Sequence, residues 1–342
     1  MMRPSLYTEN LMRTHLLAAA CLLNLTSTVF AGGAYIEQVG TAHTASVSQQ
    51  GLGQVGAAIE QSGLSHEAHI EQRSNTGDMQ VGIRQSGEGN YSNVLQGDAM
   101  LSANIEQAGH GNVAEVEQFW QAAGLSVLQI GDGNRARSVQ ASNGGGAFSV
   151  TAHVSITQDG FENQADVQQI ADFGVATSEI VQQGQQNRAV VNQGAFGATT
   201  LSLGQEGTAN LAEVSQGGPY VWVRASIDQS GEANQVKLVQ DGGDFNGFAT
   251  INQTGTGNRA EATQRGVYSV DRVIISQNGS DNSAAVSQWG SFANDIYGEI
   301  EQTGSMNVAN LQQASESGGN LAFTIHQNGN GIVANVVQSA GP

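Results

Sequence analysis

One repeat runs through nearly the whole chain and restricts its fold more than any other feature. From residue 36 to residue 338 the pattern apolar-x-Gln-x-Gly-x-x-Asn-x-Ala-x-apolar-x-Gln occurs thirteen times. The units are 22 to 25 residues apart, with one interval of 29 where residues 142–146 predict a loop insertion. A fixed period of this length is typical of stacked solenoid repeats. The first glutamines of the units are Gln38, Gln61, Gln85, Gln107, Gln129, Gln158, Gln182, Gln205, Gln229, Gln253, Gln277, Gln302 and Gln327.

Three positions of the repeat never vary, and the others have few exceptions. Glycine always stands two residues after the first glutamine, and a second glutamine always stands eleven residues after it. The asparagine is present in ten units, but His43 and His66 replace it in the first two units and Ile332 replaces it in the last. The small residue is alanine except at Ser92 and Val236. Agreement of this kind across thirteen units excludes chance similarity.

Within a unit the recurring residues lie two apart, as Ile251 and Gln253 do, and as Ala260, Ala262 and Gln264 do. A period of two places side chains on one face of a β-strand. The Gly-x-x-Asn segment predicts the turn between two strands, because Gly and Asn tolerate left-handed backbone conformations.

A second, more variable turn is predicted to lead into the next unit, as at residues 241–244. Pro219 falls in one of these turns, where it removes no ladder hydrogen bond. One unit cannot bury its own apolar face, so the units must stack. The sequence therefore predicts an all-β, amyloid-like β-solenoid of about 13 stacked strand-turn-strand repeats forming two facing parallel sheets. At about 4.8 Å per rung the rod is roughly 60 Å long.

Glutamine is the most over-represented residue, and 26 of the 37 glutamines occupy the two invariant glutamine positions. A buried, unpaired amide costs several kcal/mol, whereas identical amides stacked in register donate and accept along a column. If these glutamines lay on an exposed face, they would exchange with Ser, Thr, Glu or Lys, and none of the 26 positions does. We therefore predict two buried glutamine ladders, with the asparagines bonded in the same way at the turn.

The first 31 residues predict a secretory signal peptide. Arg3 and Arg13 precede a short apolar run that includes Cys21, and the segment ends in Val-Phe-Ala before Gly32. Met12 is an alternative start, since a complete signal follows it. Lipid attachment at Cys21 is the less favoured interpretation. Residues 32–342 then form the repeat domain, without cysteine or any further apolar segment that predicts a membrane span.

Charge and composition disfavour several functions. The full chain has 12 Lys and Arg against 30 Asp and Glu, and removal of residues 1–31 leaves 10 against 29, a net charge of −19. Such an acidic chain lacks the basic cluster that nucleic-acid binding requires. The outward acidic residues are interpreted as gatekeepers that slow premature stacking or, equally, as residues that only keep the surface solvated.

No catalytic, cofactor-binding or metal-ligating residue is predicted. The repeat domain has one lysine, Lys237, and scattered arginines, unlike the polar cluster of a solenoid enzyme. His66 and His69 are three apart, an offset that places strand residues on opposite faces and does not favour a shared metal. The repeat also lacks the outward Thr columns of an ice-binding face and the recurrent Asp of calcium-stacked repeats.

These residues resemble the curlin repeat of curli fibre subunits, with its Gln-x-Gly-x-x-Asn-x-Ala-x-x-x-Gln core, over residues 36–338. The resemblance implies a secreted bacterial subunit that polymerises with itself into functional amyloid at the cell surface, serving adhesion, aggregation and biofilm. It also implies a nucleating minor subunit, and an outer-membrane export pore with accessory proteins.

Three features depart from that family's pattern. The chain has more units than the best-known subunits, lacks their Gly/Asn-rich leader, and has a final unit that is not rich in Lys or Arg. Only residues 32–35 precede the first unit and only residues 339–342 follow the last, so both ends are expected to template strand pairing. The alternative function is a secreted β-solenoid adhesin or binding protein that does not polymerise.

Overall fold

A computed structural model of the chain describes residues 22–29, 33–51, 53–74, 77–97, 100–119, 122–141, 151–171, 174–195, 197–220, 222–243, 246–291, 295–316 and 320–340. For residues 22–29, 171 and 195 it describes the backbone alone. Within these ranges the chain forms 27 β-strands, which alternate between two sheets, and no helix.

The even-numbered sheet holds the strands that carry the first glutamine of each unit. Its thirteen strands are Gly33–Thr41 (β2), Val55–Leu64 (β4), Met79–Glu88 (β6), Leu101–His110 (β8), Ala123–Asp132 (β10), Thr151–Phe161 (β12), Val175–Gln185 (β14), Ala198–Thr208 (β16), Trp222–Glu232 (β18), Asn246–Thr256 (β20), Val270–Ser280 (β22), Asp295–Ser305 (β24) and Leu321–Asn330 (β26).

The odd-numbered sheet holds the strands that carry the second glutamine, together with one strand before the first unit. Its fourteen strands are Leu22–Val29 (β1), Thr44–Gly51 (β3), Glu67–Ser74 (β5), Tyr91–Gly97 (β7), Val113–Phe119 (β9), Arg135–Ala141 (β11), Gln164–Ala171 (β13), Arg188–Ala195 (β15), Leu211–Gly218 (β17), Gln235–Gly243 (β19), Arg259–Val267 (β21), Ser283–Ser291 (β23), Val308–Ser315 (β25) and Val333–Ala340 (β27).

Every strand pairs in parallel with its equivalent one unit away. Along the even-numbered sheet, for example, Gln229 pairs with Gln253 and Gln253 pairs with Gln277. Identical positions of the repeat therefore stack directly upon one another, because a shift by one residue would turn every side chain to the opposite face. The predicted fold, an all-β solenoid of two parallel sheets, is confirmed.

The corner after each even-numbered strand, which we call the asparagine corner, is tighter than predicted. The strand continues through the invariant glycine, so that only two residues separate it from the next strand, as Ala233 and Asn234 do between β18 and β19. The residue before the asparagine, or before the His or Ile that replaces it, has a left-handed φ of 52° to 68° in all thirteen units, while the asparagines themselves do not. Asparagine was expected at this turn for its tolerance of the left-handed conformation, but that conformation falls on the residue before it, and the asparagine side chain makes hydrogen bonds instead.

The corner after each odd-numbered strand, which we call the variable corner, is less regular. Pro219 lies in a turn directly after β17 ends at Gly218, as predicted. Residues 241–243 of the predicted turn at residues 241–244 belong instead to β19 and stay paired with β21, and residue 244 lies outside the described residues. The predicted loop insertion at residues 142–146 lies outside the described residues.

The core is a thin layer of Ala, Val, Ile and Leu side chains between the two sheets. The main cluster runs from Ala45 to Ile325 and includes both the Ile column of the even-numbered strands and the Ala column of the odd-numbered strands. A smaller cluster, containing Met79, lies near the variable corners. Because each rung adds a similar apolar layer to the one before it, no rung has a core of its own.

The strand β1 falls within the predicted signal peptide. It pairs in parallel with β3, with Leu22 opposite Thr44 and Val29 opposite Gly51. The remainder of the predicted signal, including Met12 and Cys21, and the cleavage point before Gly32 lie outside the described residues. The structure does not test removal of this segment, and the signal peptide stays a prediction.

Candidate assembly core

The first glutamines form a continuous hydrogen-bonded ladder through the even-numbered sheet. Each side-chain Nε2 donates to the Oε1 of the equivalent glutamine one unit later, from Gln38 to Gln327, over 2.6 to 2.9 Å. All members except Gln38 are buried. All donors therefore point the same way along the rod, and the ladder has a direction.

The second glutamines form an equivalent ladder through the odd-numbered sheet. It runs from Gln49 to Gln338, with donor–acceptor distances of 2.7 to 3.1 Å and the same direction. All members except Gln338 are buried. The prediction of two buried glutamine ladders is confirmed.

Most of the ladder glutamines also bind the opposite sheet, which the repeat spacing did not predict. The Nε2 of Gln253 donates to the backbone carbonyl of Gln235 on β19 over 3.0 Å, and that of Gln264 donates to the carbonyl of Phe248 on β20 over 3.2 Å. Each ladder therefore closes the core beside one set of corners, the first ladder beside the asparagine corner and the second beside the variable corner.

This double role explains why no other residue replaces glutamine. The position requires one acceptor and two donors on a side chain long enough to reach the facing strand. Glutamate lacks donors when ionised, lysine lacks an acceptor, and serine and threonine provide only one donor. Asparagine has the same amide but is one methylene shorter. The invariance thus follows from hydrogen-bond capacity combined with reach.

The asparagines form a third ladder at the asparagine corner, and it includes the backbone. The backbone N–H of Asn234 donates to the Oδ1 of Asn210 over 3.1 Å, and its Nδ2 donates to the carbonyl of Gly255 over 2.9 Å. The ten asparagines are completely buried. Each one satisfies backbone groups that a two-residue corner would otherwise leave unpaired inside the rod.

The invariant glycines allow the closest approach between rungs. At Gly184 the backbone φ is +106°, and an added Cβ would overlap the carbonyl oxygen of Gly207 in the next rung. The same overlap recurs along the column from Gly40 to Gly304. Backbone freedom was the only role expected of this glycine, but contact with the next rung excludes every side chain as well.

Charged residues lie on the outer faces and pair between neighbouring rungs. Arg84 contacts Glu60 at 2.9 Å, and Arg135 contacts Glu115 at 2.8 Å. These pairs are exposed, so each contributes little to stability. Asp271 is the one fully buried carboxylate among the described residues. It stands in the even-numbered sheet where the neighbouring rungs have Gly247 and Ile296, and the register could have identified it as out of place.

Neither carboxylate oxygen of Asp271 has a hydrogen-bond partner of good geometry among the described residues. Burial raises the pKa of Asp271 to about 7, with the nearby Ser269 hydroxyl opposing the rise and the Asp295 carboxylate adding to it. The buried hydroxyl of Ser138 is also without a partner in the described part of the chain. Ser138 interrupts a column that is apolar elsewhere, whereas the column of Asp271 also holds Thr199, whose buried hydroxyl is likewise unpaired among the described residues. These residues are weak points of the core.

The histidines do not converge on one place. His43 and His66 are buried at asparagine corners, whereas His69, His110, His153 and His326 lie on outer faces. His66 and His69 therefore point to different environments. Across the residues that the structure describes, no three His, Cys, Asp or Glu side chains are grouped so that they could hold a metal ion. None of the described segments is a helix long and apolar enough to cross a membrane.

The fold and its ladders define the class of this protein as a β-solenoid whose two in-register parallel sheets enclose stacked glutamine and asparagine side chains. No family model matches the chain, and no curated protein sequence matches it. The repeat and the ladder geometry are therefore the observations from which a function can be argued.

Proposed function

We propose that the chain is a secreted structural subunit that assembles with itself into curli-like functional amyloid fibres at the bacterial surface, where it supports adhesion, aggregation and the biofilm matrix. The observation that carries this proposal is the pair of uninterrupted glutamine ladders within two parallel, in-register sheets. Stacked identical strands with side-chain amide ladders are the arrangement that gives amyloid its stability, and here they occur within one chain.

The repeat makes self-assembly a natural extension of the fold. A rung gains its backbone hydrogen bonds, its amide bonds and its apolar contacts from the rungs on either side. The outer edge of β26 and β27 presents the same kinds of groups, with the inward-facing Ala334 and Val336 only partly buried. A rung from a second copy would find equivalent partners there, because exposed strand edges template further pairing.

The remaining parts of the proposal follow from the curlin resemblance. They are secretion after removal of residues 1–31, a nucleating minor subunit, and export through an outer-membrane pore with accessory proteins. Export is testable by surface immunolabelling of cells that express the full chain with and without such a pore. Surface label that depends on the pore supports this route, and equal label without it contradicts it.

Self-assembly is tested by incubating purified residues 32–342 from a freshly desalted, monomeric solution. We expect fibres that bind amyloid dyes and give a fibre-axis reflection near 4.7 Å. Seeding with preformed fibres should shorten the lag, because a fibre end supplies the template. A chain that remains monomeric while its circular dichroism shows folded β-structure would contradict the proposal and favour a β-solenoid adhesin or binding protein that does not polymerise.

A matched variant connects assembly to the ladders. The double substitution of Gln253 and Gln277 by leucine removes two neighbouring buried amides and should slow fibre formation. Substitution of the exposed glutamines Gln183 and Gln312 by leucine changes the same residue type on the outer faces. If both variants assemble at the same rate, the buried ladders do not drive assembly.

A further inference from the structure

The first two asparagine corners contain histidines whose rings are stacked. His43 and His66 are 2% and 1% exposed, their ring centroids are 5.1 Å apart, and their planes differ by 2°. Identical positions of the repeat lie directly above one another, so the two imidazoles occupy the column that asparagines fill in the next ten units. The replacement is evident from the repeat alone, whereas its role depends on the contacts of the two rings.

Each imidazole reproduces the hydrogen bonds of an asparagine side chain. The backbone N–H of His66 donates to the Nδ1 of His43 over 3.3 Å, and the N–H of Asn90 donates to the Nδ1 of His66 over 3.2 Å. In the next unit, the N–H of Asn112 donates to the Oδ1 of Asn90 over 3.0 Å. The histidine Nδ1 thus takes the place of the asparagine side-chain oxygen.

The other ring nitrogen corresponds to the asparagine side-chain nitrogen. The Nε2 of His43 lies 3.2 Å from the carbonyl of Val39, and that of His66 lies 3.0 Å from the carbonyl of Ser62. The Nδ2 of Asn90 donates in the same way to the carbonyl of Ser86. These contacts define one tautomer, with the proton on Nε2 and a bare Nδ1 that accepts. An imidazolium has no acceptor, so it cannot complete the ladder.

The surroundings contain no carboxylate that pairs with a charged form of either ring among the described residues. The nearby carboxylates of Glu67 on β5 and Glu88 on β6 are exposed, and Glu67 is hydrogen-bonded to His69. No carboxylate in the described residues is hydrogen-bonded to either buried ring. Burial lowers the pKa of His66 below its ordinary value of 6.5, the Ser62 carbonyl opposes this, and the His43 ring lowers the pKa further.

We propose that His43 and His66 form a pH-sensitive joint, which closes the first two rungs of the rod only while both imidazoles are neutral and opens them in mildly acidic surroundings. Protonation would remove the acceptor for the next backbone N–H and place two positive charges face to face in a buried column. Ten of the other eleven corners use asparagine and the last has Ile332, and neither side chain titrates. Acid would therefore open one end of the rod and leave the remainder closed.

This inference does not depend on self-assembly, because it concerns the fold of a single chain. Hydrogen exchange of individual amides in monomeric residues 32–342, followed by NMR, measures it directly. As pH falls from about 7.5 to about 5, we expect the protection factors of the His66 and Asn90 amides to drop at least about tenfold. The Asn112 amide, which is bonded to Asn90 Oδ1, serves as the internal standard and should keep its protection.

A variant that restores the asparagine ladder is the matched control. In His43→Asn/His66→Asn the protection of both amides should depend on pH no more than that of the Asn112 amide does. Nitrogen chemical shifts of the wild-type rings near neutral pH should identify a bare Nδ1. His69→Gln should behave as the wild type, because His69 lies on the outer face of β5.

Two results would overturn the proposal. One is unchanged protection of the His66 and Asn90 amides at about pH 5 in the wild type. The other is the same loss of protection in the asparagine variant, which would assign the opening to another group. If the variant folds poorly, the ring nitrogen shifts of the wild type still decide, since a protonated Nδ1 near neutral pH contradicts the assigned tautomer.

Discussion

The side-chain Nε2 of Gln253 donates to the Oε1 of Gln277 over 2.8 Å and to the backbone carbonyl of Gln235 over 3.0 Å. One amide thereby connects two rungs within a sheet and also joins the two sheets. The Oε1 of the same amide accepts from Gln229 over 2.9 Å. Its hydrogen-bonding capacity is therefore used in a fully buried position, and Gln253 connects its own strand to two others, one in each sheet.

Gln253→Leu is expected to lower the free energy of unfolding by about 2 to 5 kcal/mol. The substitution leaves the donor of Gln229, the acceptor of Gln277 and the carbonyl of Gln235 without this partner, and an unpaired buried polar group costs about 1 to 3 kcal/mol. Urea unfolding followed by circular dichroism measures the change. Gln183→Leu, on the outer face, should stay within about 0.5 kcal/mol of wild type. Equal losses would mean that the amide bonds do not stabilise the rod.

Gly184→Ala is expected to destabilise the rod by about 3 kcal/mol, because it combines backbone strain with overlap against the next rung. The control is Gly194→Ala on β15, where the nearest atom to an added Cβ is the carbonyl oxygen of Ile170 at 3.8 Å. Unfolding of both variants under the same conditions gives the comparison. Wild-type stability in Gly184→Ala would show that the rungs separate more easily than the structure indicates.

Ser138→Val is expected to stabilise the chain by about 1 to 2 kcal/mol. Ser138 is 1% exposed, its hydroxyl has no partner among the described residues, and it pairs with Val116 and Val167 in a column of apolar side chains. The substitution replaces the unpaired buried hydroxyl by a methyl group and adds a second methyl group, as in the neighbouring valines, so the desolvation cost is removed. The midpoint of thermal unfolding should rise.

The contrasting serine is Ser92, whose hydroxyl donates to the Oε1 of Gln107 over 2.8 Å. Ser92→Ala removes a satisfied hydroxyl, so the midpoint of thermal unfolding should fall slightly or stay constant. The free energy of unfolding should change by less than about 1 kcal/mol. A rise in Ser92→Ala equal to that of Ser138→Val would indicate a general preference for apolar residues rather than the relief of an unpaired group.

Asp271 is expected to make the rod less stable as pH rises between about pH 4 and pH 7. Its pKa is 3.8 in the unfolded chain and about 7 in the folded rod, so the folded state holds the proton more tightly. The full stability contribution of this group is present below pH 4 and is lost as pH rises through 7, with a span of about 4 kcal/mol. The free energy of unfolding as a function of pH measures this loss.

Asp271→Asn is the control for that dependence, because it keeps the shape of the side chain and cannot ionise. Its free energy of unfolding should be less sensitive to pH than that of the wild type, and it should exceed the wild-type value above pH 7. Parallel pH profiles for the two proteins would mean that Asp271 is ionised and solvated in the folded rod.

Added salt is expected to shorten the lag of fibre assembly. Among the described residues every Asp and Glu except Asp271 is at least partly exposed, in a chain whose net charge is −18. Repulsion between such chains is screened within about 10 Å at 0.1 M salt. Dye-binding kinetics at low and high salt test the effect. An unchanged lag would leave the acidic residues with solvation of the surface as their only role.

The repeat alone was enough to predict the two parallel sheets, their register and the burial of the glutamines. Residues at a fixed offset in every unit must form columns once the units stack, so Gln253 above Gln229 follows from spacing. The outward position of Glu60 and Arg84 follows from the same alternation. These features depend only on distances along the chain, which are present in the sequence.

Contacts between different columns depended on the tertiary structure. Spacing does not state how far β19 lies from the Gln253 amide, so the bond to the Gln235 carbonyl could not be foreseen. Three other features could not be foreseen for the same reason, since they too depend on distances across the rod. They are the left-handed residue before each asparagine, the match between the His43 ring and an asparagine amide, and the lack of hydrogen-bond partners for the Asp271 carboxylate. A periodic sequence determines which residues stack along the rod, whereas the separation of the two sheets and the path of each corner determine what those residues meet across it.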